Sequence, residues 1–91
     1  MITAITMIKT DPDKIPETAE KISSIEEVEA VYSVTGAWDL VVIVKVPDFE
    51  DLSDLVPGKI SKAGAIHSTE TMVAFRTFSQ RDLETGFNLG D

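Results

Sequence analysis

One short stretch of the sequence, residues 35–39, groups side chains that could hold a small polar molecule. Thr35 supplies a hydroxyl, Trp38 a flat apolar surface, and Asp39 a carboxylate able to bind an ammonium group. Gly36 lets a ligand approach the backbone, and it favours a turn because glycine tolerates a positive φ. We call residues 35–39 the glycine turn; it is a candidate site for one end of an amino acid.

A second polar stretch, residues 68–71, comes later in the chain and reads Ser-Thr-Glu-Thr. Its hydroxyls could hold the other end of the same molecule. From the order of the elements we expect the two stretches to lie on different sides of one chain, and so to meet more easily across a contact between subunits. The candidate ligand-binding residues are Thr35, Gly36, Trp38, Asp39, Thr69 and Thr71.

Each candidate also has an ordinary structural explanation, which spacing alone favours. Asp39 can bond to the backbone of its own turn, and Gly36 can be present only for its φ. Trp38 can fill an interface between subunits. Thr69 and Thr71 can be ordinary strand residues, because threonine favours strands.

The other reactive side chains do not form a catalytic or metal-binding set. His67 is the only histidine and the chain has no cysteine, so a structural role is favoured over a base or a metal ligand. The acidic residues lack the spacing and the central glycine of a calcium loop, and they suit the charged first turn and outer face of a helix. These residues are Asp48, Glu50, Asp51 and Asp54. We predict no catalytic residue, no metal site and no cofactor.

Strand patterns recur along the chain and must position both polar stretches. Residues 2–9 and 40–46 are apolar on both alternations, which predicts strands in the middle of a sheet. Residues 28–34 alternate and predict a strand with one better buried face. A last strand is predicted over residues 71–75, with residues 67–70 leading into it.

Two helices are predicted between these strands. The first has Pro12 or Pro16 in its first turn and is expected to stop near Ser24. The second is capped by Asp48 and ends at Gly64, with a kink or break at residues 57–58, where proline removes a hydrogen bond. Its inward residues are predicted to be Phe49, Leu52, Leu55 or Val56, and Ile60.

The order strand, helix, strand, strand, helix, strand is typical of the α+β ferredoxin-like βαββαβ fold. We predict one domain over residues 1–91, with residues 79–91 as an extension that includes a possible short helix. Both helices are expected on one face of a four-stranded antiparallel sheet. The other face would display several of Ile5, Met7, Val41 and Ile43, and such a patch predicts a homodimer that packs sheet to sheet.

Composition excludes several classes of protein. The sequence has 91 residues, 26% charged and 43% hydrophobic, which is typical of a globular domain. Its formal net charge of −8 and its scattered basic residues argue against binding to a nucleic acid backbone. No apolar run is long enough to cross a membrane, and the first residues lack the basic start of a signal peptide. With no cysteine, a cytoplasmic location is expected.

Two motifs give the sequence a family resemblance. Residues 34–40 read VTGAWDL and precede an apolar strand, while residues 64–71 read GAIHSTET and are followed by Val73. In this order and spacing they resemble the effector-binding domain of the Lrp/AsnC, or feast/famine, transcription regulators. The likeness extends from the first strand to about Phe78. The chain departs from the pattern at Trp38, where tyrosine is commoner, and at residues 57–58 in the second helix.

The resemblance implies a βαββαβ domain that dimerises through its sheets, often forms octamer-like rings of dimers, and binds amino acids where dimers meet. It places the ligand-binding residues at the glycine turn and at Thr69 and Thr71. Such regulators usually carry a helix-turn-helix domain ahead of the effector domain, where this chain begins. We therefore expect a stand-alone effector domain that does not bind DNA, is not an enzyme, and could assemble with full-length regulators.

Two alternatives remain open from the sequence. A small enzyme of the dimeric α+β barrel type, such as a cofactor-free monooxygenase, could use Trp38 and His67 around a cavity; fold analogy alone supports it. A regulatory partner that binds no ligand would share the same layout.

Overall fold

The structure, a computed structural model, describes residues 1–80. Within them, strands and helices follow the predicted order. The strands are β1 (Ile2–Thr10), β2 (Val28–Ser33), β3 (Leu40–Val46) and β4 (Ile66–Val73). The helices are α1 (Ile15–Ser23), which follows a 3₁₀ turn at Pro12–Lys14, and α2 (Phe49–Leu55), which continues into a π-helical turn at Val56–Ile60.

The four strands form one antiparallel sheet in the order β2-β3-β1-β4. The two strands that the sequence predicts to be central, β1 and β3, are the central ones. The ferredoxin-like α+β fold is thereby confirmed. In the register, Ile8 of β1 lies opposite Leu40 of β3 on one side and Thr69 of β4 on the other. The start of β3 and the start of β4 therefore lie at the same end of the sheet.

Both helices cover one face of the sheet. Residues at alternate positions of β1 and β3 are completely buried and form a single cluster with apolar side chains of both helices and the π-helical turn. The buried apolar members of this cluster are Ala4, Ile8, Ile22, Leu40, Val42, Val44, Val46, Leu52, Leu55 and Ile60.

The other face of the sheet carries apolar side chains that this single chain leaves partly exposed. Cross-strand pairing places them side by side, since residues directly opposite each other share a face. We call this set the open face; it comprises Ile5, Met7, Tyr32, Val41, Ile43 and Met72. Four of the six were predicted from the alternation of β1 and β3.

The last strand differs from the prediction. It runs over Ile66–Val73, so it begins five residues earlier and ends two residues earlier than expected for residues 71–75. The polar residues 67–70 belong to the strand because β1 is long enough to pair with them, and because an edge strand can expose polar side chains to solvent. The pairing ends at Val73, after which the Ala74 N–H donates to the Thr3 carbonyl at 2.9 Å.

The second helix keeps its predicted cap and its predicted irregularity. Asp48 and Asp51 form a reciprocal capping box, and the π-helical turn occupies the segment in which Pro57 disrupts regular helical bonding. Leu52 and Leu55 face the core, as predicted. Phe49 does not: it is the first helical residue and is 65% exposed, so its predicted inward position is wrong.

The predicted extension over residues 79–91, with its possible short helix, falls almost wholly outside the described residues. None of the helices in residues 1–80 has the length and apolar character needed to cross a bilayer.

An exposed ion pair joins the loop before β2 to the π-helical turn. Lys59 Nζ lies 3.3 Å from both carboxylate oxygens of Glu27. A hydrogen bond of the Glu27 carboxyl to its own backbone lowers its pKa below the usual value of 4.5, and the positive charge of Lys59 lowers it further. A carboxyl with a lowered pKa in the folded state stabilises the protein above its unfolded pKa, and this contribution is lost as the pH falls through the folded pKa.

We therefore expect the melting temperature of the wild type to fall more steeply than that of Glu27→Gln as the pH drops from neutral to below the lowered pKa of Glu27. Thermal denaturation by circular dichroism across this range measures the difference, which should be small because the pair is exposed to solvent. Parallel curves for the two proteins would contradict the role given to Glu27.

Candidate functional site

The glycine turn is a tight, preformed connection between β2 and β3. The Val34 N–H donates to the Asp39 carbonyl at 3.0 Å and closes it. Gly36 has a φ of 106°, in the region that favours glycine, and a Cβ built on it would meet nothing within 4 Å. Glycine is therefore needed at this position for backbone conformation and not for space. Thr35 and Gly36 are exposed, and Trp38 is half-buried.

Asp39 ties the turn to the neighbouring strand. Its N–H donates to the Ile8 carbonyl at 2.9 Å, and its carboxylate Oδ2 accepts a hydrogen bond from the Thr10 N–H at 3.0 Å. The sequence alone allows a bond from Asp39 to its own turn, but the structure places that bond on β1. One carboxylate oxygen thus has a structural role, while Oδ1 accepts no hydrogen bond within residues 1–80.

Lys9 also contacts the glycine turn, which sequence reasoning missed. Its Nζ donates to the Ala37 carbonyl at 2.7 Å. The two residues are 28 positions apart, so no local spacing could signal the contact. Only the pairing of β1 with β3, which brings the end of β1 beside the start of β3, creates it.

Thr69 and Thr71 lie on β4, with β1 between them and the glycine turn. Thr69 is opposite the buried Ile8, and the Thr71 hydroxyl is 3.0 Å from that of the buried Thr6. Since opposite residues share a face, both hydroxyls belong to the side of the sheet that the helices cover.

The two polar stretches therefore lie at the same end of one sheet but on different sides of β1, the turn between β2 and β3 and the threonines on the edge strand β4. The start of β3 and Thr69 are two strand spacings apart, roughly 10 Å. Within one chain the six candidates fall into two groups that do not touch: the glycine turn at the end of the sheet, and the two threonines on its edge strand.

A third polar group lies where β1, α1 and the loop before β4 meet. The Thr10 hydroxyl donates to the Ala65 carbonyl and is 3.5 Å from the buried Thr18 hydroxyl. Gly64 packs against Thr18 closely enough that a Cβ at Gly64 would lie 2.7 Å from Thr18 Oγ1. Thus the glycine of the GAIHSTET motif allows the loop to pack on α1.

An open cleft of about 370 Å³ lies beside this packing contact. None of the six candidate residues contributes to it. Its lining consists of Lys14, Glu17, Thr18, Lys21, Gly64 and Ala65.

His67 pairs with Asp11, and its side chain is 61% exposed. The pair links the loop after β1 to the start of β4. The cleft is lined by neither His67 nor Trp38. An exposed histidine whose ring contacts a carboxylate lacks the enclosed surroundings that the oxygenase alternative requires.

The glycine turn has side-chain groups that remain available to bind a small charged molecule. It combines an exposed hydroxyl, a half-buried indole and a carboxylate with one oxygen that has no bond in the described chain. The adjacent Lys9 adds a positive charge. A carboxylate and an ammonium at one turn suit a ligand that carries both charges.

The chain is similar in sequence to proteins of one known family. The family profile of the Lrp/AsnC ligand binding domain matches residues 3–83. The HTH-type transcriptional regulator PF1231 of Pyrococcus furiosus is 33% identical over 72 residues, which are 79% of this chain and 49% of the regulator. The chain spans about half the length of the curated relatives it matches.

Solved structures share the fold. TTHA0845 from Thermus thermophilus is 38% identical with a TM-score of 0.82, and the match covers 88% of this chain and all of that one. The transcriptional regulator NMB0573 from Neisseria meningitidis, solved as a complex with L-Met, has a TM-score of 0.78 over 87% of this chain and 53% of its own. Because its sequence identity is only 14%, this match shows a similar fold and nothing more.

Proposed function

Because the chain belongs to the Lrp/AsnC ligand-binding domain family, we propose that it is a non-enzymatic domain that binds an amino acid or a related small metabolite and modulates transcription. The observation that carries the proposal is the glycine turn, which the hydrogen bonds of Asp39 fix at one end of the sheet and which also contains Thr35 and Trp38. In this proposal the domain acts in the cytoplasm and makes no contact with DNA itself.

The ligand class follows from the chemistry of the turn. The free oxygen of Asp39 suits an ammonium group, and the indole of Trp38 suits an apolar side chain. A regulator of the same fold was solved with L-Met, which is a molecule of this class. The net charge of −8 supports a role other than binding a phosphate backbone.

Assembly would complete the site. Thr69 and Thr71 do not reach the glycine turn of their own chain. In this proposal the edge strand β4 of a second copy, which carries these two threonines, completes the site. The open face provides the first contact, between the sheets of two chains, and further contacts between dimers would build an octamer-like ring. The same contacts would let the domain assemble with full-length Lrp/AsnC regulators. Ligand binding to the domain would then influence those regulators through the shared assembly.

Two substitutions at Asp39 separate its structural bond from its proposed ligand bond. Asp39→Asn keeps an oxygen that accepts from the Thr10 N–H but removes the charge, whereas Asp39→Ala removes both. We expect Asp39→Asn to melt near the wild type and to bind amino acids about tenfold to a hundredfold more weakly, since a hydrogen bond to a charged group contributes roughly 1.5–3 kcal/mol. Asp39→Ala should lose stability as well.

Calorimetry against the common amino acids, together with thermal melting of each variant, measures both effects. Native mass spectrometry with and without the tightest binder reads the assembly at the same time, because a ligand bound between subunits must favour the assembled state. No binding of any amino acid to the wild type, or equal binding to Asp39→Asn, would refute the proposed site.

A further inference from the structure

Lys9 supplies a charge that the candidate residues read from the sequence lack. Those residues offer a carboxylate for the ammonium group of an amino acid, but only neutral donors for its carboxylate. On the premise of the proposed function, we infer that the Lys9 ammonium binds the α-carboxylate of the ligand and that the site selects zwitterions.

Lys9 and Asp39 lie near each other but do not form a salt bridge with each other. The register of β1 with β3 ends with Ile8 opposite Leu40, and the Asp39 N–H donates to the Ile8 carbonyl at 2.9 Å, so Lys9 and Asp39 each follow directly on this last pair. Opposite charges on neighbouring strands of a sheet can pair. Here each is held by a backbone group instead: Lys9 Nζ by the Ala37 carbonyl at 2.7 Å and Asp39 Oδ2 by the Thr10 N–H at 3.0 Å.

Each of the two groups keeps bonding capacity. An ammonium has three N–H donors, of which the Ala37 carbonyl takes one. Lys45 pairs with Glu29 and Lys59 with Glu27, whereas Lys9 has no carboxylate oxygen within 4 Å in residues 1–80. It shares this with Lys14, Lys21 and Lys62, but Lys9 is the lysine that contacts the glycine turn. In a protein with an excess of acidic residues, this leaves an ammonium and a carboxylate side by side, each anchored and each open to a ligand.

Simple anchoring of the turn is the competing explanation for Lys9. It predicts that removing the ammonium disturbs every ligand of the turn equally. Binding of the α-carboxylate predicts instead that only ligands with that charge are affected. An amino acid and its α-carboxamide differ at this group alone, so the two explanations separate on a single pair of probes.

The experiment uses Lys9→Met and Lys9→Arg in the full chain. The common amino acids are screened on the wild type by NMR titration, and the tightest binder is then compared with its own α-carboxamide in all three proteins. We expect Lys9→Met to weaken the free amino acid by about tenfold to a hundredfold and to leave the carboxamide unchanged. Lys9→Arg should retain most of the preference for the acid, because it keeps a positive charge with N–H donors.

Each outcome decides the inference. Equal weakening of acid and carboxamide by Lys9→Met would assign Lys9 to anchoring alone and overturn it. Unchanged binding of the acid by Lys9→Met would also overturn it, while leaving the proposed function intact. Failure of the wild type to bind any amino acid would refute the amino-acid binding in the proposed function and this inference together. Lys9 is exposed, so Lys9→Met should fold, and its melting curve confirms this independently of ligand.

Discussion

Replacing Gly64 with alanine is expected to lower the free energy of unfolding by about 1–3 kcal/mol, because overpacking a close contact carries a cost of this size. The added Cβ would lie 2.7 Å from Thr18 Oγ1, 3.2 Å from its Cγ2 and 3.3 Å from its Cβ. Thr18 is 1% exposed and sits on α1, so its side chain cannot swing into solvent. The loop that carries Ala65 and leads into β4 must shift instead.

Two further variants make this expectation specific. Gly58→Ala is the matched control, since its added Cβ meets nothing within 4 Å, and it should be neutral or slightly stabilising. Thr18→Ala removes the two nearest atoms, so Gly64→Ala should cost less in that background than in the wild type. Urea denaturation of the wild type, Gly64→Ala, Thr18→Ala and the double variant measures the coupling. Equal costs of Gly64→Ala in both backgrounds would show that the contact with Thr18 is not the cause.

Hydrophobic pattern is enough to predict the sheet and its central strands. Val42, Val44 and Val46 are fully buried, while Val41 and Ile43 face the other way, and this division follows from the period of two along a strand. Two strands with apolar residues on both alternations must lie in the middle of the sheet, and this restricts how four strands and two helices can be arranged. The bounds of β4 were harder to predict, because an edge strand with polar residues lacks the apolar pattern on which strand prediction depends.

The candidate site was predictable only in part, and its two glycines show why. Gly36 was expected to provide a positive φ, which is a local property, and its φ is 106°. Gly64 was expected to end the second helix, but the π-helical turn already ends at Ile60; the contact of Gly64 with Thr18 depends on how the loop docks on α1. The bonds from Thr10 to Asp39 and from Lys9 to Ala37 also join distant parts of the chain. A local pattern identifies the turn but not the strand that holds it.

The function of the turn depends on what covers the open face. Two positions of this face, Ile5 and Ile43, are paired across β1 and β3, and Ala30 of β2 lies on the other side of Ile43. Ile43 is thus at the centre of the sheet, where a two-fold dimer would bury it against its copy or a neighbouring apolar residue. If the sheets pack as proposed, substitution at this position acts on both chains of each dimer.

Replacing Ile43 with aspartate is therefore expected to separate the proposed dimer. Burying an isoleucine side chain contributes roughly 1.5–3 kcal/mol, and two copies per dimer give about 3–6 kcal/mol before the cost of burying two carboxylates. This corresponds to association weakened by about a hundredfold to ten-thousandfold. Analytical ultracentrifugation across a range of protein concentrations measures the shift, and circular dichroism checks that the variant folds.

Phe49→Asp is the matched control for the charge and for the loss of an exposed apolar side chain. Phe49 is 65% exposed at the start of α2, far from the open face because the helices cover the opposite side of the sheet. An acidic residue at a helix N-terminus is favourable, so this variant should keep both its fold and its assembly. A folded Ile43→Asp that sediments like the wild type would exclude packing through the open face. If Ile43→Asp is instead monomeric and no longer binds amino acids, although Lys9 and Asp39 are unchanged, the ligand site requires the assembled protein.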